Sequence, residues 1–137
     1  MRAFSKSLGA VTLLFSITVV GTLPSAVVLA EETPVVESDV VTVDIVGISF
    51  SPQILTMKTG QTVRWVNTTK LVHTVTSDAT LARDPANAFV PEGATAWHSG
   101  NLAAGESFSI QLTVPGEYKY FCKPHELMGH VGTIIVE

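Results

Sequence analysis

From Val40 onward the chain alternates apolar and polar residues in short runs separated by turn residues. The run "VVTVDIVGISF" puts Val41, Val43, Ile45, Ile48 and Phe50 on one side, the period of a half-buried strand. "SPQ" turns the chain, and "ILTMKTGQTVRWVN" reads as a short strand, a Thr59–Gly60 turn and a strand with Val63, Trp65 and Asn67 on one face. "HTVTS" is a further short β-branched run. "ESFSIQLTV" alternates Phe108, Ile110, Leu112 and Val114, "PGE" is a tight turn, and "YKYFC" and "VGTIIVE" are the last two strands. Between them, residues 77–100 hold two prolines, two glycines and no period. A helical turn is expected near Leu81 to Phe89 within what is otherwise a long loop, of the kind that carries function or covers a surface. No helical period is sustained anywhere in this part, so the pattern predicts an all-β sandwich or barrel with Greek-key connections.

The first 30 residues follow a different pattern. "MRAFSKS" carries Arg2 and Lys6 and no acid, residues 8–23 are apolar, and "PSAVVLA" ends in small residues at Val28 and Ala30 before "EE". That is the order of a secretory signal, with cleavage expected after Ala30. The alternative is an uncleaved anchor through residues 8–23, but that run is shorter than the roughly 20 residues needed to span a bilayer. Residues 31–39 read as a flexible lead-in and 40–137 as one domain with its own core. The expected location is periplasmic or extracellular.

Charge and cysteine usage narrow the chemistry. Without its first 30 residues the chain has 107, with 6 basic against 12 acidic side chains. This balance excludes nucleic acid as a partner class. It suits a protein that docks on a complementary basic patch. The single cysteine, Cys122, has no partner for a disulfide within the chain. In an oxidising compartment such a thiol is buried and inert, reactive, or bound to a metal. Its neighbours favour the last. "FCKPHELMGH" gathers Cys122, His125, Met128 and His130 between two strands, and His73 opens an earlier strand that a sandwich can bring alongside. A thiolate with two imidazoles is a borderline-soft donor set suited to copper or zinc, not to magnesium or calcium.

These stretches resemble the cupredoxins of the plastocyanin, pseudoazurin and halocyanin type. The likeness is carried by "FSPQILTMKTGQTVRWVN", by His73 before its β-branched run, by "SGNLAAGESFSIQLTVPGEYKYFCKPH" and by "GHVGTIIV". It implies an eight-stranded Greek-key sandwich holding one copper ion per chain, with His73, Cys122 and His125 as equatorial ligands. The fourth place departs from the family. Pseudoazurin-like loops read C-x-P-H-x-x-M-G-M, and the second methionine is the axial ligand; here His130 stands in its place. The spacing to Gly132 favours His130. A shorter amicyanin-like register selects Met128 and misplaces Gly132 by two positions. An axial imidazole implies a lowered potential and a green or red, rather than blue, type 1 site. Three histidines and one thiolate also suit tetrahedral zinc.

Thr74 stands where many relatives carry an asparagine that braces the ligand loop. Asn67 reads as a strand-end hydrogen-bonding residue, His98 as a solvated loop residue, and Trp65 and Trp97 as packing. The ring edge of His125 commonly reaches the surface in this family through an apolar patch, here Leu71, Pro124, Leu127 and Met128, with Lys123 and Glu126 as its expected rim. The resemblance implies a monomeric single-electron carrier, not an enzyme, whose partner is a c-type cytochrome or a copper oxidase. The alternatives are a copper-binding or delivery protein and, less favoured, a small-molecule redox enzyme.

Overall fold

The computed structural model describes residues 39–137. The expected signal at 1–30 and nearly all of the lead-in at 31–39 lie outside the described residues. Seven strands form two sheets among them. β1 (Val40–Val46), β2 (Ser49–Ser51), β4 (Thr62–Asn67) and β5 (Ser107–Gln111) make one sheet in the order β2-β1-β4-β5. β3 (Ile54–Met57), β6 (Gly116–Phe121) and β7 (Val131–Val136) make the other in the order β3-β7-β6. The structure is an all-β sandwich, as the alternation predicts.

The inward faces are those read from the period of two. Val43 and Ile45 of β1, Val63, Trp65 and Asn67 of β4, and Tyr118 and Tyr120 of β6 are buried and fill the space between the sheets with Leu55, Ile134 and Val136. Ile48 departs from the pattern and is exposed, because Gly47 takes a left-handed φ of 61° and turns the chain out of β1. Phe108 and Ile110 of β5 are only half-buried and pack on the edge of this core.

"HTVTS" is not a ladder strand. It is held by single bridges, His73 to Leu102, and Thr76 to Phe121 and to His98. The long segment 77–100 contains two 3-10 turns, Ala79–Leu81 and Pro85–Asn87, where one helical turn is expected. A further bridge joins Phe89 to Lys119. Through Thr76 and Phe89 the segment therefore lies along the outer edge of β6 and occupies backbone groups that an edge strand otherwise leaves open.

The registers decide which turns meet. β1 runs parallel to β4 with Ile45 opposite Asn67. β5 begins with Ser107 opposite Val66, and β6 ends with Phe121 opposite Val131. The turns after β1, β4 and β6 and the segment leading into β5 thus share one end of the sandwich. His73, Cys122, His125 and His130 all lie there.

Candidate metal centre

His73 is presented by the turn after β4, and Asn67 builds that turn. The Asn67 Nδ2 donates to the carbonyls of Leu71 (2.7 Å) and Leu102 (2.9 Å), and its Oδ1 accepts from the Thr69 amide (3.0 Å). Thr69 Oγ1 donates to Asn67 Oδ1 at 2.8 Å and meets His73 Nε2 at 3.0 Å. With its proton given to Asn67, the hydroxyl faces the imidazole as an acceptor. The His73 proton then sits on Nε2, and the Nδ1 lone pair faces Cys122 Sγ at 3.5 Å. A ring nitrogen fixed in this way from behind is the usual means of orienting a metal-binding histidine. Thr69 was not singled out in the sequence. An Asx-type turn, "NTT", four residues before a histidine is the signal that points to it.

Cys122 follows β6 directly and stands at the N-cap position of a 3-10 turn, Lys123–Met128. The turn closes through the His125 amide to the Cys122 carbonyl (3.1 Å), and the Cys122 amide bonds the His130 carbonyl (2.9 Å). Gly129 follows with φ 77° and ψ 22°, a left-handed conformation that costs a residue with a Cβ. It reverses the chain so that His130 points inward while Leu127 and Met128 point out. Thr74 fastens the near side of this loop. Its amide donates to Cys122 Sγ (3.4 Å), and its Oγ1 accepts from the Lys123 amide (2.8 Å). The threonine hydroxyl thus supplies a brace at the position where the asparagine is expected.

One donor atom from each of His73, Cys122, His125 and His130 can be chosen so that all lie within 4.8 Å of one another. Cys122 Sγ is 3.4 Å from His125 Nδ1. The His73 ring lies 4.7 Å from that of His125 and 5.1 Å from that of His130, centroid to centroid. His73, Cys122 and His130 are fully buried, and His125 is half-buried. Neither nitrogen of His130 makes a hydrogen bond of good geometry, although buried polar atoms are nearly always paired; only the Ser49 backbone comes near, and it weakly opposes the lowering of the imidazole. Burial, then the neighbouring His73 and His125, push the His130 imidazole down to about 4. Burial and His125 also lower His73. The Cys122 thiol is pushed up by burial, against opposing hydrogen bonds from Thr74 and His125. A buried thiol and three imidazoles with donor atoms this close together, and no carboxylate among them, fit a borderline-soft metal ion.

Residues 37–137 match the family model described as copper binding proteins, plastocyanin/azurin family. The chain belongs to that family. As a member of the plastocyanin/azurin family, it takes copper as its metal. It is 37% identical over 91 residues to the chloroplastic plastocyanin of Chlamydomonas reinhardtii, covering 66% of this chain and 60% of that protein. It is 39% identical over 92 residues to the plastocyanin of Scenedesmus fuscus, covering 64% of this chain and 86% of that protein. Among solved structures, a Cu(I) form of an amicyanin variant superposes with a TM-score of 0.58 at 26% identity, covering 74% of this chain and 86% of the other.

The remaining residues fall on either side of this family site. Met128 is 64% exposed on the outside of the turn. His98 is exposed and meets Thr76 Oγ1 at 2.7 Å through Nδ1, outside the four-residue cluster. Trp65 and Trp97 pack in the core, 5.8 Å apart. Tyr120 stacks edge-on against Phe50 (4.7 Å), which in turn lies 4.2 Å from the His130 ring. Glu126 corrects the sequence reading. It does not rim the surface patch but is 5% exposed, because backbone and side-chain donors from the 83–87 stretch draw its carboxylate inward. Burial opposes ionisation there, yet the bonds from Asp84, Arg83 and Asn87 outweigh it and hold the carboxyl below its ordinary value. A cleft of about 540 Å³ lies between segment 77–100 and the metal loop, walled by Leu81, Arg83, Lys123 and Glu126 and floored by Thr74. None of the four clustered residues lines it.

Proposed function

We propose that the protein is an exported single-electron carrier in which His73, Cys122, His125 and His130 hold one copper ion and Met128 does not take part. The observation that carries this reading is the His130 ring, fully buried beside His73 with no well-formed hydrogen bond on either nitrogen, while Met128 lies on the surface. When bound, copper supplies a Cu(I)/Cu(II) couple that stores one electron. The protein's own part is to hold the donors still in both states. Asn67 and Thr69 fix His73, Thr74 braces Cys122, and Phe50 packs the His130 ring. An imidazole in place of a thioether favours Cu(II), so a lowered potential and a green or red site are expected.

The half-buried His125 is the way out. Around it Leu71 is 51%, Val72 47%, Leu127 79% and Met128 64% exposed, an apolar patch that suits transient docking. The partner class is a redox protein such as a c-type cytochrome or a copper oxidase. Net charge alone points to a basic partner, but the docking face itself differs. Stretches 47–53, 68–72, 100–105 and 123–129 contain Lys70, Lys123 and a single acid. That acid is the inward-facing Glu126. The surface that meets this end is therefore expected to be acidic.

The test is the visible spectrum and EPR of the copper-loaded protein beside His130→Met. A green or red parent and a blue variant are expected. Equal blue spectra would remove His130 from the site and return Met128 to it. Export is checked separately by N-terminal sequencing of the secreted protein, which should begin at Glu31.

A further inference from the structure

Six residues make the turn Lys123–Met128, and their burial is uneven. Lys123, Pro124, Leu127 and Met128 are exposed, His125 is half-buried, and only Glu126 is buried. The turn is held at its two ends by backbone, through the Cys122 amide on the His130 carbonyl and the Lys123 amide on Thr74. In its middle the one buried residue is Glu126. Its Oε2 accepts from the Arg83 amide (2.9 Å), and its Oε1 accepts from the Arg83 amide (3.1 Å), the Asp84 amide (3.0 Å) and Asn87 Nδ2 (3.0 Å).

The donors are held in place before the carboxylate meets them. Asp84 Oδ1 accepts from the Ala86 amide (3.0 Å), and the Asp84 carbonyl accepts from the Asn87 amide (3.0 Å). Two successive backbone N–H groups and one amide therefore converge on a single point, an arrangement that binds anions well. The charge of a carboxylate makes such bonds stronger than neutral ones. His73 has Thr69 behind it and His130 has Phe50 against it. For His125, the adjacent Glu126 is the tether to the rest of the molecule.

We propose that Glu126 is a positioning residue that latches the metal loop to the 83–87 stretch and so fixes the place of His125. The inference rests on the reading of His125 as a ligand, and it gives segment 77–100 a role at the site without any contact to the metal. The bland alternative is a buried carboxylate that adds to overall stability and nothing more.

Glu126→Gln separates the two. The variant keeps the shape but turns an NH2 group toward backbone donors. In the metal-free protein, hydrogen exchange of the amides of Arg83, Asp84 and residues 125–129 is expected to quicken at least about tenfold. The amides of β6 and β7 should keep their parental rates. In the copper-loaded protein, transfer of copper to a chelator should quicken about tenfold, the lower end of what losing a group that orients a ligand costs. Asn87→Ala removes one donor from the other side and should move both readouts the same way by less. Faster exchange spread evenly over the sheets would overturn the proposal in favour of general stability. So would loosening confined to Arg83 and Asp84 with the 125–129 amides and copper release unchanged. Because exchange is read without metal, it stands even where the spectra show that His125 is not a ligand. Should Glu126→Gln fail to fold, Asn87→Ala decides alone.

Discussion

Thr69, Gly132 and His130 show how much of the site rests on single residues. Of the four clustered residues Thr69 touches only His73, yet it determines which nitrogen of that ring is free. Thr69→Val keeps the shape and removes the acceptor. Copper affinity should fall about tenfold with little change in Tm, as a competition titration against a chelator will show. Gly132 is required for space rather than for backbone freedom. A Cβ there would stand 2.4 Å from the Tyr120 ring, whose hydroxyl lies at 2.5 Å. Gly132→Ala should cost about 1–3 kcal/mol in urea unfolding and displace Tyr120, which stacks on Phe50 beneath His130. His130 makes the metal-free protein sensitive to acid. Burial, then His73 and His125, lower its folded value to about 4, below the roughly 6.5 of an unfolded chain. The unfolded state therefore binds more protons between these values. Its contribution is present above about pH 6.5 and is lost as pH falls toward 4, roughly 3 kcal/mol in all. Metal-free protein unfolded at pH 7 and pH 4.5 should show this loss, and His130→Leu should shrink it.

At the level of elements, the period of two told most of the story. The buried faces of β1 and β4 are as the alternation predicts, because one face of each strand has nowhere to go but the core. The ligand loop was legible for a related reason: cysteine and histidine are rare, and a strand at each end pins their spacing. Two things were not legible. "HTVTS" has the composition of a strand, but whether it forms a ladder depends on neighbours distant in sequence, and here Leu102, His98 and Phe121 supply only single bridges. Glu126 looked like a surface charge because an exposed carboxylate is the norm. Its donors lie about 40 positions away in an aperiodic segment, and no local pattern announces them.

At the level of the whole molecule, the sign of the net charge misleads about the end that matters. The chain is acidic, while the turns around the exposed patch carry Lys70 and Lys123. Oxidation of the reduced, copper-loaded protein by ferricyanide, an anion, should slow as salt is added. Lys70→Glu with Lys123→Glu should slow it about tenfold at low ionic strength and reverse the salt dependence. A rate independent of salt in the parent would remove charge from the docking argument.

Segment 77–100 has a consequence beyond the metal. Its Phe89 bridges Lys119, and Thr76 just before it bridges Phe121, so together they cover the outer row of β6. Among the described residues the sheet edges left uncovered are short: β2 with three residues, β3 with four, and β5 with five whose outward side chains are serine and glutamine. A second copy therefore finds no long backbone template on which to nucleate an intermolecular sheet. A molecule with an exposed apolar patch keeps its collisions reversible in this way, meeting others through side chains that let go.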